Sequence, residues 1–228
     1  QATNDGMKHL RGIDTLKNLT IDNTPISDDG IATLTDHGRI PLPGLGLLQA
    51  TETQLANQSI RFLAGSTKLT VLILQQTQVD DIDLIVNTFP ALVLIDIGHT
   101  NVLGSDISKL GKLRNLFRVA VNGRPLLESG SDFLSRLPNL RELTIYEADE
   151  GFDAEGLRGL SELEQLHVID AQENQLTDAF WSEVNSLPKL DRLKLIGAGV
   201  TTAVITACPP LKGLTQLELV YTNASCRS

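Results

Sequence analysis

Cysteine, histidine and aromatic residues are scarce in this sequence, and each shortage excludes a class of protein. The 228 residues contain two cysteines, four histidines and 4% aromatic residues. Cys208 and Cys226 have no Cys-x-x-Cys spacing and cannot form a disulfide framework, and the sequence leaves open whether they pair with each other or stay free thiols. No apolar run approaches the roughly 18 residues of a membrane-spanning helix, so we expect no insertion into a bilayer.

Positive charge is also in short supply. Lys and Arg number 19 against 28 Asp and Glu, which gives a formal net charge of −9. Phosphate backbones and anionic membrane surfaces attract surfaces rich in Lys and Arg. The charge balance therefore argues against nucleic acid or a membrane surface as the main partner.

Leucine, by contrast, recurs at regular intervals. Nine segments match Leu-x-x-Leu-x-Leu, with an apolar residue at the first, fourth and sixth positions. They begin at Leu16, Leu45, Leu69, Leu92, Leu116, Leu140, Leu163, Leu190 and Leu214. The steps between them are 29, 24, 23, 24, 24, 23, 27 and 24 residues, and this regularity indicates internal repeats.

Each repeat combines a short strand with a helical return segment. Apolar and other residues alternate over the Leu-x-Leu part, as a half-buried strand requires. In the early repeats a threonine follows three residues after the last apolar position of the strand, at Thr24, Thr53, Thr77 and Thr100. Apolar residues spaced by three, such as Ile31 with Leu34 and Leu157 with Leu160, predict a helical return to the next strand.

These units resemble leucine-rich repeats, with Thr where many members carry Asn or Cys. The segments 24–31 and 176–178 are similar to the Thr-x-Ile-x-Asp-x-Gly stretches of bacterial repeat proteins and to the repeats of F-box proteins and ribonuclease inhibitor. The resemblance covers about residues 10–228 and implies an α/β solenoid, a right-handed βα superhelix of about nine repeats with a parallel sheet on its concave side. It implies one domain over 1–228, with 1–15 as an N-terminal cap and 16–228 as repeats.

The later repeats depart from this pattern at the threonine position, which is occupied by Arg124, Ala148, Ala171 and Ala198 before Thr222 restores it. In the family this side chain bonds the backbone at the turn, so we expect water or other backbone groups to satisfy the altered turns. The long first step contains a predicted protruding loop at 37–44, and Thr177 is a predicted helix N-cap. Because the ninth unit stops at Ser228 before its return segment, we expect either a partner at that edge or a longer natural chain.

Strand alternation predicts which side chains face out of the sheet. The residues before the second apolar position should form one column: Asn18, Leu47, Val71, Leu94, Arg118, Glu142, Gln165, Arg192 and Gln216. The residues after it should form a second column: Thr20, Gln49, Ile73, Asp96, Ala120, Thr144, His167, Lys194 and Glu218. In leucine-rich-repeat proteins this face is concave and usually binds partners.

Two candidate binding regions follow from these columns. The first is an apolar patch in repeats two to four, made of Leu47, Val71, Ile73 and Leu94. Its exposure would be unusual in a monomer, and it is interpreted as a partner site, a contact between copies, cover for the loop at 37–44, or exposure without a role.

The second candidate region is polar and begins beside Arg118. It comprises Glu142, Tyr146, Glu147, His167, Asp170, Arg192, Lys194 and Tyr221. Acidic side chains of repeat six should face basic ones of repeat eight, with His167 between them. Tyr and Arg favour interfaces, although charged side chains on a solenoid are usually only solvated.

Nothing in the sequence favours catalysis. None of the histidines lies in a nucleophile or metal motif. Asp96, His99 and Arg118 should lie near one another without an evident nucleophile, and the acids at 80–83 open a return segment, where they suit a helix dipole. We therefore expect no catalysis, metal or cofactor, and favour a scaffold that binds a protein or peptide on its concave sheet. The alternatives are a regulatory segment of a larger enzyme or receptor and a carbohydrate-binding surface protein, and the oligomeric state stays open.

Overall fold

All nine predicted strands form one parallel sheet. The computed structural model describes residues 2–129, 131–148, 157–158, 160–169, 171 and 176–221. The strands are β1 (Asn18–Thr20), β2 (Leu47–Gln49), β3 (Val71–Ile73), β4 (Leu94–Asp96), β5 (Arg118–Asn122), β6 (Glu142–Tyr146), β7 (Gln165–Ile169), β8 (Arg192–Gly197) and β9 (Gln216–Tyr221). Their order in the sheet is their order in the chain, as expected when each repeat stacks on the previous one. This confirms the predicted repeat solenoid with an open parallel sheet.

Short helices return the chain from one strand to the next. They are α1 (Asp28–Thr35), α2 (Asn57–Phe62), α3 (Ile82–Thr88), α4 (Gly104–Ile107), α5 (Gly123–Ser129), α6 (Asp178–Ser186) and α7 (Thr202–Ala207). Three 3₁₀ helices cover Asn4–Leu10, Ser108–Lys112 and Ser131–Arg136. Among the described residues, none of the helices is both long and apolar enough to cross a bilayer.

Side chains at the helix N-termini explain where several helices begin. Thr177 Oγ1 accepts a hydrogen bond from the Phe180 backbone N–H at 3.4 Å, which confirms the predicted cap of α6. The carboxylate of Asp81 accepts from Leu84 N–H at 2.9 Å at the start of α3. Asp83 follows in the first turn of α3, where a negative charge is stabilised by the helix dipole. Asp81 and Asp83 therefore stabilise the start of α3, as the sequence predicted for the acids at 80–83.

The interior is a single hydrophobic core shared by the repeats. The middle strand residues Leu48, Leu72, Ile95 and Leu166 are fully buried, because the return segments cover the inner side of the sheet. Leu217, which occupies the same position in β9, is 46% exposed. No described strand lies beyond β9, so this core position is only partly covered.

Threonine hydroxyls close the turns after the first four strands. Each donates to the carbonyl of the residue three positions earlier, at 2.6–2.8 Å. The pairs are Thr24 with Ile21, Thr53 with Ala50, Thr77 with Leu74 and Thr100 with Ile97. This confirms the role that the family resemblance implies for these threonines.

At Ala171, one of the positions that lack threonine, the backbone groups are hydrogen-bonded to the next repeat. Ala148 and Ala171 are fully buried. Ala171 N–H donates to the Ile196 carbonyl at 2.9 Å, and the Ala171 carbonyl accepts from Gly199 N–H at 2.8 Å. Arg124 lies within α5, so a helix replaces the turn of the fifth repeat. Thr222 lies outside the described residues.

The N-terminal segment packs against the first repeat. The 3₁₀ helix Asn4–Leu10 contacts α1, and Met7 is buried in the core. The Asn4 side chain accepts from Ser27 N–H at 3.0 Å and donates to Ser27 Oγ at 2.9 Å. We propose that this segment is the N-terminal cap of the solenoid.

The loop at 37–44 folds onto the helical side of the second repeat. The His37 ring packs edge-on against Phe62 of α2 at 5.8 Å between centroids. A methyl group at Gly65 would lie 2.5 Å from Cβ of Pro41, so the loop backbone approaches the segment after α2 closely. Cys208 is half-buried, and Cys226 lies outside the described residues, so both alternatives from the sequence stand: a Cys208–Cys226 pair and two free thiols.

Candidate functional site

The sheet register places the outward-facing residues in the predicted columns. Asn18 pairs with Leu47, Leu47 with Val71 and Val71 with Leu94, and the series continues to Arg192 and Gln216. The second column is equally continuous from Thr20 to Glu218. The nine strands therefore present one aligned face.

The apolar patch lies on β2, β3 and β4. Its four members are all half-buried: Leu47, Val71, Ile73 and Leu94. The loop at 37–44 contacts the α2 side of the repeat, so the interpretation that it covers this patch is not supported. Val93 and Phe117, which directly precede β4 and β5, are 37% and 40% exposed. The sequence reasoning missed these two residues because they lie outside the alternating columns.

A tyrosine spans the middle of the face and reaches over one complete repeat. Tyr146 ends β6, and its hydroxyl donates to Asp96 Oδ2 of β4 at 3.2 Å. The residue between them in the second column is Ala120 of β5, which is fully buried. A methyl group at Gly98 would lie 2.2 Å from Cδ2 of Tyr146. Small residues at 98 and 120 therefore create the space that the tyrosine ring fills.

A second contact across the same repeat runs beside the first. His99 Nδ1 lies 2.8 Å from Glu147 Oε1, and the His99 and Tyr146 ring centroids are 5.0 Å apart. His99 and Glu147 both have left-handed backbones, with φ of 54° and 48°. Gly123 occupies the equivalent position of the fifth repeat. Asn122 adds a bond by accepting from His99 N–H at 2.7 Å.

Burial changes the protonation chemistry of the Tyr146–Asp96 pair. Removal from water raises the pKa of Asp96, which accepts from Gly98 N–H at 3.0 Å in addition to Tyr146. Burial and the nearby Asp96 charge raise the pKa of Tyr146. Arg118 and His99 lie close enough to Asp96 for their charges to act on its pKa, as expected, but each of the three has another side-chain partner. Arg118 Nη1 lies 3.8 Å from Glu142 Oε2.

The basic residues of the predicted polar region line a groove on β7, β8 and β9. The groove has a volume of about 240 Å³. Its lining residues are Gln165, His167, Arg192, Leu193, Lys194, Gln216 and Glu218. Desolvation and the positive charges of Arg118 and Lys194 lower the pKa of His167.

Ion pairs on this part of the face differ from the expected pairing between repeats six and eight. Lys194 Nζ lies 2.9 Å from Glu218 Oε1 of β9, and Glu142 contacts Arg118 of β5. Glu142 Oε1 also accepts from the Gln165 amide at 3.3 Å. Neighbouring strands are closer than strands two repeats apart, and Lys194 and Glu142 therefore each meet a partner on the next strand.

The predicted polar region is thus divided into two clusters. Tyr146 and Glu147 belong to the bridge between repeats four and six, whereas His167, Arg192 and Lys194 belong to the groove. Tyr221 pairs with Gly197 at the ends of β9 and β8 and is 57% exposed. Asp170 lies outside the described residues.

A cavity of about 500 Å³ opens beside the bridge, at the carboxyl ends of β4 to β6. Its polar lining includes His99, Asn122, Arg124, Glu128 and Glu147, with exposed Leu103 at its margin. Arg124 Nε donates to Glu128 Oε1 at 3.0 Å, so the charged groups of the cavity largely neutralise one another. Within the described part of the chain, no three His, Cys, Asp or Glu side chains converge as a metal site requires.

Comparison with solved structures finds leucine-rich-repeat proteins. An internalin (inlF) from Listeria monocytogenes aligns over 98% of this chain and 65% of its own, with 18% identity and a TM-score of 0.55. The internalin C2 of the same species aligns over 97% and 84%, with 18% identity and a TM-score of 0.50. This chain thus spans about two thirds of the length of the first and most of the second.

A third structure, TLR13 in complex with ssRNA13, aligns over 97% of this chain and 31% of its own, with 17% identity and a TM-score of 0.54. At these identities the likeness concerns the fold alone. No protein-family model and no curated protein matches the sequence.

Proposed function

We propose that this leucine-rich-repeat solenoid is a non-catalytic interaction domain that binds a protein or peptide on the concave face of its sheet, and that residues 1–228 form one such domain. The observation that carries the proposal is the half-buried, still accessible apolar patch Leu47, Val71, Ile73 and Leu94 on a continuous sheet. Apolar area of this kind is usually covered by a partner. The groove around Arg192 supplies directed polar contacts on the same face.

The chemistry of the middle cluster supports a binding role over catalysis. Two hydrogen-bonded pairs cross the fifth repeat: Tyr146 with Asp96, and His99 with Glu147. A general acid or base must reach a substrate proton, and these groups are already engaged. Their bonds hold repeats four and six in a fixed relation, which suits a preorganised binding surface.

Protein is favoured over nucleic acid on grounds of charge. The TLR13 complex with ssRNA13 means that the fold itself does not exclude RNA as a partner. Non-specific nucleic-acid binding, however, needs several cations that neutralise phosphates together. In this protein the net charge is −9, and on the concave face Arg118 and Lys194 already contact glutamates.

Selection from a random peptide display library tests the proposal. The wild-type domain should enrich peptides that no longer bind when Leu47, Val71, Ile73 and Leu94 are all replaced by Thr, which keeps strand propensity while removing apolar surface. The matched control replaces exposed Leu103 and Ile205 by Thr, since both lie away from the concave columns. Enriched peptides that bind the fourfold variant as well as the wild type would overturn the proposal.

A further inference from the structure

The groove on β7 to β9 has the size of a side-chain subsite. Its volume of about 240 Å³ is below the roughly 300–1,000 Å³ of pockets that enclose a small-molecule ligand. It lies on the open face of the sheet, where a chain crossing the strands would lay one side chain into it. The identity of its occupant depends on the charges that surround it.

Those charges favour an anion. Lys194 and Arg118 each contact a glutamate, but Arg192 has only its chain neighbour Asp191 within ion-pair distance among the described residues, at 3.9 Å. The Arg192 side chain is 49% exposed, so its guanidinium is accessible to a partner. A planar guanidinium binds carboxylates through two parallel hydrogen bonds.

The state of His167 supports a positive potential in this groove. Burial of the ring is the main cause that lowers the pKa of His167, and the charges of Arg118 and Lys194 lower it further against smaller opposing effects of Glu142 and Glu218. The two glutamates therefore do not cancel the field of the cations at the imidazole. A carboxylate would be attracted to this position, whereas a partner's ammonium group would be repelled.

The apolar patch and the groove lie on one line along the face. Val71 of β3 and Arg192 of β8 belong to the same column, five strand steps apart. At about 4.8 Å per step the separation is about 24 Å, and an extended peptide at about 3.4 Å per residue covers it with about seven residues.

We propose that the concave face binds an extended peptide with two chemically distinct ends, an inference that rests on the proposed function. Apolar side chains of this peptide contact Leu47, Val71, Ile73 and Leu94, and an acidic side chain about seven residues away occupies the groove between His167, Arg192 and Lys194. The two subsites set both the composition and the spacing of the peptide. The bridge formed by Tyr146 and Asp96 holds them at this separation.

Fluorescence anisotropy with synthetic labelled peptides tests this proposal. The reference probe carries a pair of leucines and a pair of glutamates, joined by a linker of Gly and Ser. The midpoints of the two pairs lie seven residues apart. Three further probes replace both glutamates with glutamine, replace them with lysine, or shorten the separation to three residues. Each change should weaken binding to the wild-type domain by roughly tenfold or more.

A charge exchange isolates the groove. Replacing Arg192→Glu and Lys194→Glu should weaken the glutamate probe by about 10- to 100-fold and make the lysine probe the tighter ligand. The matched control is Lys112→Glu with Arg124→Glu, which changes the net charge equally at exposed positions outside the groove. Arg192→Gln with Lys194→Gln is a milder pair, and circular dichroism verifies that every variant is folded.

Three results would overturn this inference. The glutamate and glutamine probes could bind with equal affinity, or the probes with the two separations could do so. The third result is no binding of the reference probe at about 1 mM. Tighter binding of a single-stranded RNA oligonucleotide that displaces the peptide would overturn it in favour of nucleic acid. Library peptides that depend on the apolar patch but show no acidic preference would overturn the inference while leaving the proposed function intact.

Discussion

The first four repeats and the last five build one sheet with turns of different construction. β1 to β4 have three residues each, whereas β5 to β9 have five or six. The short strands are followed by threonines that bond the backbone. Arg124, Ala148, Ala171 and Ala198 occupy that position after β5 to β8.

The strand ends of the two halves use different bonds. After β1 the Thr24 hydroxyl donates to the Ile21 carbonyl and Thr51 N–H donates to the Asp22 carboxylate at 2.7 Å, while Asn23 N–H still donates to the Thr51 carbonyl of the next repeat. In the later repeats pairing continues through Asn122 with Tyr146 and Ile196 with Val220. The longer strands add outward positions at the edge of the face, and Tyr146 occupies one of them.

The largest expected loss of stability distinguishes a buried position inside the sheet from the equivalent position of its last strand. Leu72→Ala removes a fully buried side chain of β3 and should lower the free energy of unfolding by about 3 kcal/mol. Leu217→Ala removes a half-exposed side chain of β9 and should cost less than about 1 kcal/mol. Urea denaturation followed by far-UV circular dichroism measures both. Equal losses would show that the outer side of β9 is covered in solution.

A smaller loss of stability is expected when the space beside the Tyr146 ring is filled. Gly98→Ala would place a methyl group 2.2 Å from the tyrosine ring and should destabilise the protein by about 1–3 kcal/mol. Gly46→Ala in the early half meets nothing closer than 3.7 Å and should change stability by less than about 0.5 kcal/mol. The two free energies of unfolding come from the same denaturation assay.

A double-mutant cycle identifies the cause of the Gly98 effect. Combined with Tyr146→Ser, Gly98→Ala should become nearly neutral, since the clashing ring is gone. A penalty of the same size in both backgrounds would contradict this explanation.

The threonine turn should account for about 1 kcal/mol. Thr77→Val keeps the shape of the buried side chain but removes its hydrogen bond to the Leu74 carbonyl, at a cost of about 1 kcal/mol. Thr206→Val removes a comparable bond at an exposed position and should change little. Ala148→Thr should not stabilise the later half, because the residue is already fully buried. A gain in unfolding free energy from Ala148→Thr would contradict the expectation that the turns of the later repeats need no hydroxyl.

The smallest effect depends on pH. Because burial raises the pKa of Asp96, its contribution to stability is fully present below the unfolded pKa, near 4, and is lost as pH rises through the folded pKa. Asn at this position stays neutral and can keep both bonds, to Gly98 N–H and the Tyr146 hydroxyl. Asp96→Asn should therefore gain stability relative to wild type between pH 4 and pH 8, by up to about 1 kcal/mol. Thermal unfolding across this range measures it, and a difference independent of pH would refute the assignment.

The sequence by itself determined the repeat and everything that follows from its period. Nine apolar segments at regular steps predicted nine parallel strands, and alternation predicted both columns, because parallel pairing in register repeats one geometry along the stack. The turn threonines and the cap at Thr177 could also be predicted, since their bonds reach only three residues along the chain.

Contacts that skip a repeat were decided by the tertiary structure alone. Tyr146 reaches Asp96 across the position of Ala120, over a ring site that the missing side chain of Gly98 leaves free, and Glu147 reaches His99 across the same repeat. The exposure of Val93 and Phe117, just before β4 and β5, was likewise visible only in the tertiary structure. A periodic pattern assigns each residue to a column, but which side chains meet within and between columns depends on their reach and on the size of what lies between them.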